Sequence, residues 1–262
     1  NWLKIQKGVT MLPRNFKPEN EYDLIRLGKN NDGGYLVERE SVNNVNSLIS
    51  MGISIDWSFE KDFFDINKVR ISAYDHTVNN SFWFRYIRRS ILNFFTFRCG
   101  FKKLSSDIFL YMDYKSFFQH DRVHYKRKIG LKSKNETALT DCLKEDNMNA
   151  PFFLKIDIEG GEYRILEQLI SSSKEINGLA IEFHDVDIHK HRIEEFIRLF
   201  DLTLVHIHPN NYGGIDNNGD PLAIEMTFCR NPTIISKDST LPHKLDQVNN
   251  PNISDIKLSI SK

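Results

Sequence analysis

Short apolar runs punctuate the chain, each closed by polar or turn-forming residues. They are Ser47–Met51, Val69–Tyr74, Val123–Tyr125, Phe152–Ile156, Leu179–Phe183, Leu202–Ile207 and Ala223–Phe228. Their apolarity is continuous rather than alternating, which marks strands covered on both faces, as in a mostly parallel sheet. Between the runs the period changes. Tyr163, Leu166, Leu169 and Ile170 recur at helical spacing, as do Ile193, Phe196, Ile197 and Phe200. Strand and helix in alternation predict an α/β fold built on a doubly wound, mostly parallel sheet. The last two runs are joined only by the polar loop Pro209–Pro221, too short for a crossover helix. They are therefore expected to form an antiparallel pair at the sheet edge.

One domain is expected over residues 1–230, followed by a polar, proline-containing tail over 231–262 packed on its surface. An insertion at 81–103 departs from the rest. It contains no acidic residue, while Arg85, Arg88, Arg89, Arg98, Lys102 and Lys103 are basic. Trp83, Phe84, Ile87, Ile91, Phe94 and Phe95 share one helical face, and Arg85, Arg88 and Arg89 lie off it. Such a helix either covers the open end of the sheet with a solvated basic edge, or meets a membrane surface or an anionic substrate.

Charge narrows the partners. The 35 basic and 35 acidic residues cancel, so no global field draws the protein to nucleic acid. No run approaches the roughly 20 apolar residues of a membrane span. Asn1-Trp2-Leu3-Lys4 lacks the apolar core of a signal peptide. Cys99, Cys142 and Cys229 are odd in number and far apart, which suits a reducing compartment better than a disulfide framework. A cytoplasmic location is expected, with residues 81–103 as the segment that would touch the inner face of a membrane.

In open α/β sheets, ligands bind beyond the carboxyl ends of the strands. After the first run, Gly52 permits close approach of backbone, and Asp56 and Glu60 can accept from a cationic amine. A plain capped turn explains the same segment equally well. After the second run, Asp75 is placed for ribose hydroxyls or for capping a turn. Asp157 and Glu159 end the central run before Gly160 and Gly161, where carboxylates can act as a base, orient a hydroxyl or hold a divalent metal. Glu182 and His184 end the next run, and His206 and His208 the one after. His206 is expected to face away from His208, leaving at most one of the two in a site. His189 and His191 are expected in solvent at a helix start.

Leu154-Lys155-Ile156-Asp157-Ile158-Glu159-Gly160-Gly161-Glu162 closely resembles the central signature of FkbM-like, S-adenosylmethionine-dependent methyltransferases. Asp32-Gly33-Gly34-Tyr35, Gly52 through Glu60 and Tyr74-Asp75-His76 are similar to blocks that precede it. Ile181-Glu182-Phe183-His184 and Asn210-Asn211 through Glu225 resemble blocks that follow, so the likeness runs from about residue 22 to 228. The resemblance implies a Rossmann-like methyltransferase domain and S-adenosylmethionine as methyl donor. It implies that Gly33, Gly34 and Tyr35 close over the cofactor. Gly52, Asp56, Ser58 and Glu60 would surround its methionine end, Asp75 with neighbouring His76 its ribose, and Asp157 and Glu159 would face the acceptor.

The family's acceptors imply a sugar hydroxyl or a phosphate-like group in a surface polysaccharide, capsule or lipopolysaccharide pathway, small or glycan-linked. Transfer to a hydroxyl needs a base, for which Asp157 and His184 are the candidates, with Glu159, Glu182 and His208 orienting substrate. Asp157, Glu182 and His184 are alternatively ligands of one divalent metal. Two other readings stay open: a metal-dependent glycosyltransferase using Asp157-Ile158-Glu159 and a nucleotide sugar, and a non-catalytic scaffold.

Overall fold

A computed structural model of the chain describes residues 9–145 and 148–261. The amino-terminal residues 1–4, read above for a signal peptide, lie outside the described residues. The core is a seven-stranded sheet of β1 (Ser47–Met51), β2 (Arg70–Tyr74), β3 (Arg122–Tyr125), β4 (Phe152–Ile156), β5 (Ile176–His184), β6 (Thr203–Pro209) and β7 (Ala223–Cys229). The order across the sheet is β6-β7-β5-β4-β1-β2-β3. Strands β1 and β4 are buried at every position, which is why their sequences read as unbroken apolar runs.

Only β7 runs against its neighbours: it pairs antiparallel with both β5 and β6. The edge pair is thus the one the short loop predicts, with the reversed strand one position in from the edge. Helices pack around this frame, among them α1 (Ser58–Ile66), α2 (Asn80–Phe95), α3 (Phe101–Phe117), α4 (Leu166–Ser171) and α5 (Val186–Leu199). Aliphatic and aromatic side chains from β4, β5, β7 and α5 form one core, and those around α1, α2 and α3 a second on the other face.

The insertion differs from its sequence reading in extent and in burial. It is a helical hairpin of α2 and α3, longer than residues 81–103, set between β2 and β3. Of the predicted apolar stripe, Trp83 is buried against Tyr111 and Tyr114 of α3. Phe84, Ile91 and Phe95 are exposed, so half the stripe covers nothing. Its neighbour, not the open end of the sheet, takes the other half.

The residues after 230 add two strands outside the main sheet. Ile234–Lys237 pairs antiparallel with Asn20–Tyr22, and Lys257–Ile260 pairs parallel with Val9–Leu12. Among the described residues no helix is long and apolar enough to cross a membrane.

Candidate active site

The chain leaves β1 toward β2 and β3 but leaves β4 toward β5, so the switch point lies between β1 and β4. The backbones beyond these two strands touch. Gly52 has φ +81°, and a Cβ there would lie 1.6 Å from the carbonyl oxygen of Asp157, so no other residue fits. A cavity of about 510 Å³ opens at this point. Gly52, Ser54, Asp75, His76 and Thr77 form one wall, Asp157 to Gly161 the other, and Arg127 to Ile129 close the end. That volume lies within the ~300–1,000 Å³ usual for small-molecule sites.

Asp75 is fixed by its own turn. Oδ1 accepts from the backbone N–H of Thr77 at 2.7 Å and from its hydroxyl at 2.6 Å, and Oδ2 accepts from the N–H of Ser54 at 2.8 Å. Burial alone would raise its pKa, but these hydrogen bonds outweigh it and hold the carboxyl below its ordinary value. One lone pair of Oδ2 is left to accept from a ligand hydroxyl. Capping and ligand binding are therefore compatible at this residue.

Opposite, acidic groups converge on one imidazole. Glu182 and His184 sit two apart on β5 and share a face. Nε2 of His184 lies 3.9 Å from Oδ1 of Asp157, 3.8 Å from Oε1 of Glu182 and 3.5 Å from Oε2 of Glu159. The Glu162 carboxylate, fully buried, accepts from the N–H groups of Ile158 (3.0 Å) and Gly160 (3.3 Å). Its Oε1 lies 3.3 Å from Nδ1 of His184, which turns Nε2 toward the other carboxylates. Burial disfavours charge on His184, but the bond to Glu162 and the fields of Glu182 and Asp157 prevail and raise its pKa to about 9. Glu182 is also pushed up, by burial first and then by Asp157 and Glu225. With His184 protonated at neutral pH, Asp157 is the better placed of the two candidate bases.

Three further residues of this cluster stand in the motif blocks quoted above, where the sequence assigns them no role. Lys155, buried in β4, donates to the Gly52 carbonyl at 2.8 Å, lies 3.4 Å from Asp157 and stands over the Tyr35 ring. Asn210 donates to Glu182 at 2.8 Å. Asp32 has its pKa raised by burial and then by Glu225 and Asp157, which places it in the same negative field. A lysine inside an apolar strand is the one signal available in the sequence; the others depend on tertiary approach.

Several expected positions come out differently. Tyr35, expected over the cofactor, has its hydroxyl 3.2 Å from Asp157 and 3.3 Å from Glu182. Burial, then the same two carboxylates, raise its pKa far enough that the phenol stays a donor. Gly33, with φ +82°, packs on the Asp56 carboxylate, and Gly34 on the Lys29 carbonyl. Asp56 pairs with Lys29 at 2.8 Å and caps the N–H of Ser58, whose hydroxyl accepts from the N–H of Lys29. Glu60 does not line the cavity: it is buried on Ser50 in the field of Lys155, because α1 turns it under the sheet. Glu159 is 87% exposed on a left-handed residue, at the rim. His189 stacks on Tyr163 with ring centroids 4.0 Å apart instead of standing free in solvent.

His206 and His208 both point to one side, since residues two apart on a strand share a face. His206 contacts Asp246 at 2.7 Å, and His208 lies 3.8 Å from Glu225 and 3.5 Å from Asp255. Both are buried beneath the segment after 240, and His208 is a neighbour of Glu225, not of the Asp157 cluster. Burial lowers the pKa of His208, but Asp255 and Glu225 overcome this and lift it to about 10. Its folded value exceeds that of a free imidazole, so its contribution to stability is complete below about pH 6.5 and is lost as pH rises toward 10. His208→Gln is expected to lower the urea midpoint at pH 6 and to flatten its decline between pH 7 and 10. Parallel pH curves for the two proteins would refute the assignment.

No curated protein matches the chain. Solved structures are similar to it, two of which follow. Human methyltransferase 10 domain containing protein shares 12% identity over 71% of this chain and 72% of that one, with a TM-score of 0.38. A Methanococcus jannaschii fibrillarin pre-rRNA processing protein shares 8% identity over 72% of this chain and 68% of that one, with a TM-score of 0.34. The match that names a family starts after Gly52 and Asp75 and takes in Asp157, Glu182 and His184. Over residues 100–208 the chain matches the model of the methyltransferase FkbM domain.

Proposed function

We propose that the chain methylates a hydroxyl oxygen of a sugar, free or within a surface glycan, using S-adenosylmethionine. The observation that carries this reading is that Asp157, on the wall of the cavity that Asp75 also lines, has its ligand atoms within 4.8 Å of those of Glu182 and His184. When bound, the donor supplies an electrophilic methyl on a sulfonium. Asp75 takes a ribose hydroxyl through its remaining lone pair. Asp157 then accepts the acceptor's hydroxyl proton as the oxygen–methyl bond forms and the sulfur–methyl bond breaks. Lys155 and Tyr35 hold Asp157 in place, and the His184 imidazolium with Glu182 orients the acceptor. Asp157 and Glu159 on the cavity wall, with Glu182 behind them, favour a neutral hydroxyl over a phosphate-like acceptor beside Asp157.

The same three side chains support a second reading. Two carboxylates and one imidazole within 4.8 Å form a donor set that suits a divalent cation. Held by Asp157, Glu182 and His184, such an ion would lower the pKa of the acceptor hydroxyl.

Calorimetry with S-adenosylhomocysteine is the first test, followed by methyl transfer to sugar acceptors with and without EDTA. Saturable binding and a methylated sugar are expected; binding of a nucleotide sugar in its place would favour glycosyl transfer. Binding of neither, with no rise in melting temperature, would leave a scaffold. Turnover lost to EDTA and restored by Mg²⁺ or Mn²⁺ selects the metal reading. Asp75→Ala is expected to weaken S-adenosylhomocysteine about 10- to 100-fold, the scale of one charge-assisted hydrogen bond.

A further inference from the structure

The α2–α3 hairpin carries its largest apolar side chains outward. Phe95, Phe97 and Phe101, at its tip, are 72%, 96% and 71% exposed. Phe97 holds φ +56°, a conformation a phenylalanine rarely adopts, and it lifts the ring clear of both helices. Phe84 and Phe109 extend the exposed surface along the two helices. Between the hairpin and β3 a groove of about 820 Å³ opens, lined by Ile87, Ile91 and Tyr111 and edged by Arg88, Lys115 and Lys126. Around the tip the charge has one sign: Arg85, Arg88, Arg89, Arg98 and Lys102 have no acidic residue between them in the sequence. Lys103 alone of this basic set is in an ion pair among the described residues, with buried Asp107.

We propose that this hairpin docks on an anionic lipid surface, its tip phenylalanines entering the acyl boundary and its arginines and Lys102 meeting lipid phosphates. The charge pattern decides among occupants. Protein interfaces also gather aromatic residues and arginine but keep charge out of their cores, whereas here cations with no acidic residue among them interleave the exposed phenylalanines. Apolar side chains interleaved with cations on a convex tip suit the boundary between acyl chains and headgroups. The inference goes beyond the reaction proposed above, and neither depends on the other. Its consequence for the site is positional: α2 begins at Asn80, three residues after Thr77 of the cavity wall, and its 16 residues set the docking tip about 24 Å from that wall.

The test is cosedimentation of the full chain with vesicles of phosphatidylcholine alone or mixed with phosphatidylglycerol. Binding is expected only to the mixed vesicles and is expected to fall as salt is raised. Phe97→Ser with Phe101→Ser, and separately Arg88→Glu with Arg89→Glu, are each expected to reduce partitioning about 10-fold or more. Unchanged far-UV circular dichroism and melting temperature would show that these variants fold. Failure of the parent chain to bind mixed vesicles overturns the proposal. So does binding that both variants retain, or a dimer in light scattering that Phe97→Ser with Phe101→Ser dissolves, since a second copy would then own the surface.

Discussion

Asp157→Asn is expected to lower methyl-transfer turnover by about 10²–10⁴-fold, the range for loss of a positioned general base, while S-adenosylhomocysteine still binds. The substitution keeps the shape of the side chain and removes its charge and its ability to take a proton. Folding should survive, because the groups around Asp157 keep other partners. Lys155 retains its bond to the Gly52 carbonyl and the field of Glu60, and Tyr35 retains Glu182. The cavity wall at Asp75 does not touch the changed atoms. The outcome separates roles when read with metal dependence. A lost turnover that added Mn²⁺ partly restores assigns Asp157 as a ligand; a loss indifferent to metal assigns it as the base. Full turnover would exclude both.

The strands were legible because their burial is uniform. Ser47–Met51 and Phe152–Ile156 have no solvent-facing residue, so composition alone marks them to the residue. The hairpin was half legible. The helical face of α2 shows in the spacing of Trp83, Ile87 and Phe94, but the sequence cannot say that Tyr111 and Tyr114 of a second helix would take one side of it. The short strands at the termini, such as Lys257–Ile260 on Val9–Leu12, exist through pairing across almost the whole chain and carry no local signal. In the candidate site, Asp157, Glu182 and His184, each at the end of an apolar run, do lie together. Tyr35, at the start of a short strand, and Asn210, in the loop after β6, reach the cluster from 122 and 28 residues away, by hydrogen bonds that only the packed fold defines. Glu162 hides for another reason. Its place in the first turn after two glycines fits a dipole argument, yet its carboxylate is spent on the loop amides and on His184.

Gly52→Ala is expected to be the most destabilising single substitution in the site, because two costs coincide there. The φ of +81° penalises any Cβ by about 1–2 kcal/mol. The new Cβ would also fall 1.6 Å from the carbonyl oxygen of Asp157, a backbone atom fixed by the bond from the Asp157 N–H to Met51. Neither strand end can yield without breaking that ladder, so the two loops must part. A total of at least about 3 kcal/mol is expected, which for a domain of this size lowers the melting temperature by roughly 6–12 °C. S-adenosylhomocysteine affinity should fall with it, since the parted loops are the two walls of the cavity. Gly214→Ala supplies the comparison: Gly214 has φ +79°, but a Cβ there meets nothing within 4 Å. It carries the conformational cost alone, so the difference between the two variants measures the contact of Gly52 with Asp157. Equal melting temperatures for Gly52→Ala and Gly214→Ala would show that the strand ends do not touch in solution, and the site would lose the geometry that brings Asp157 to the cavity.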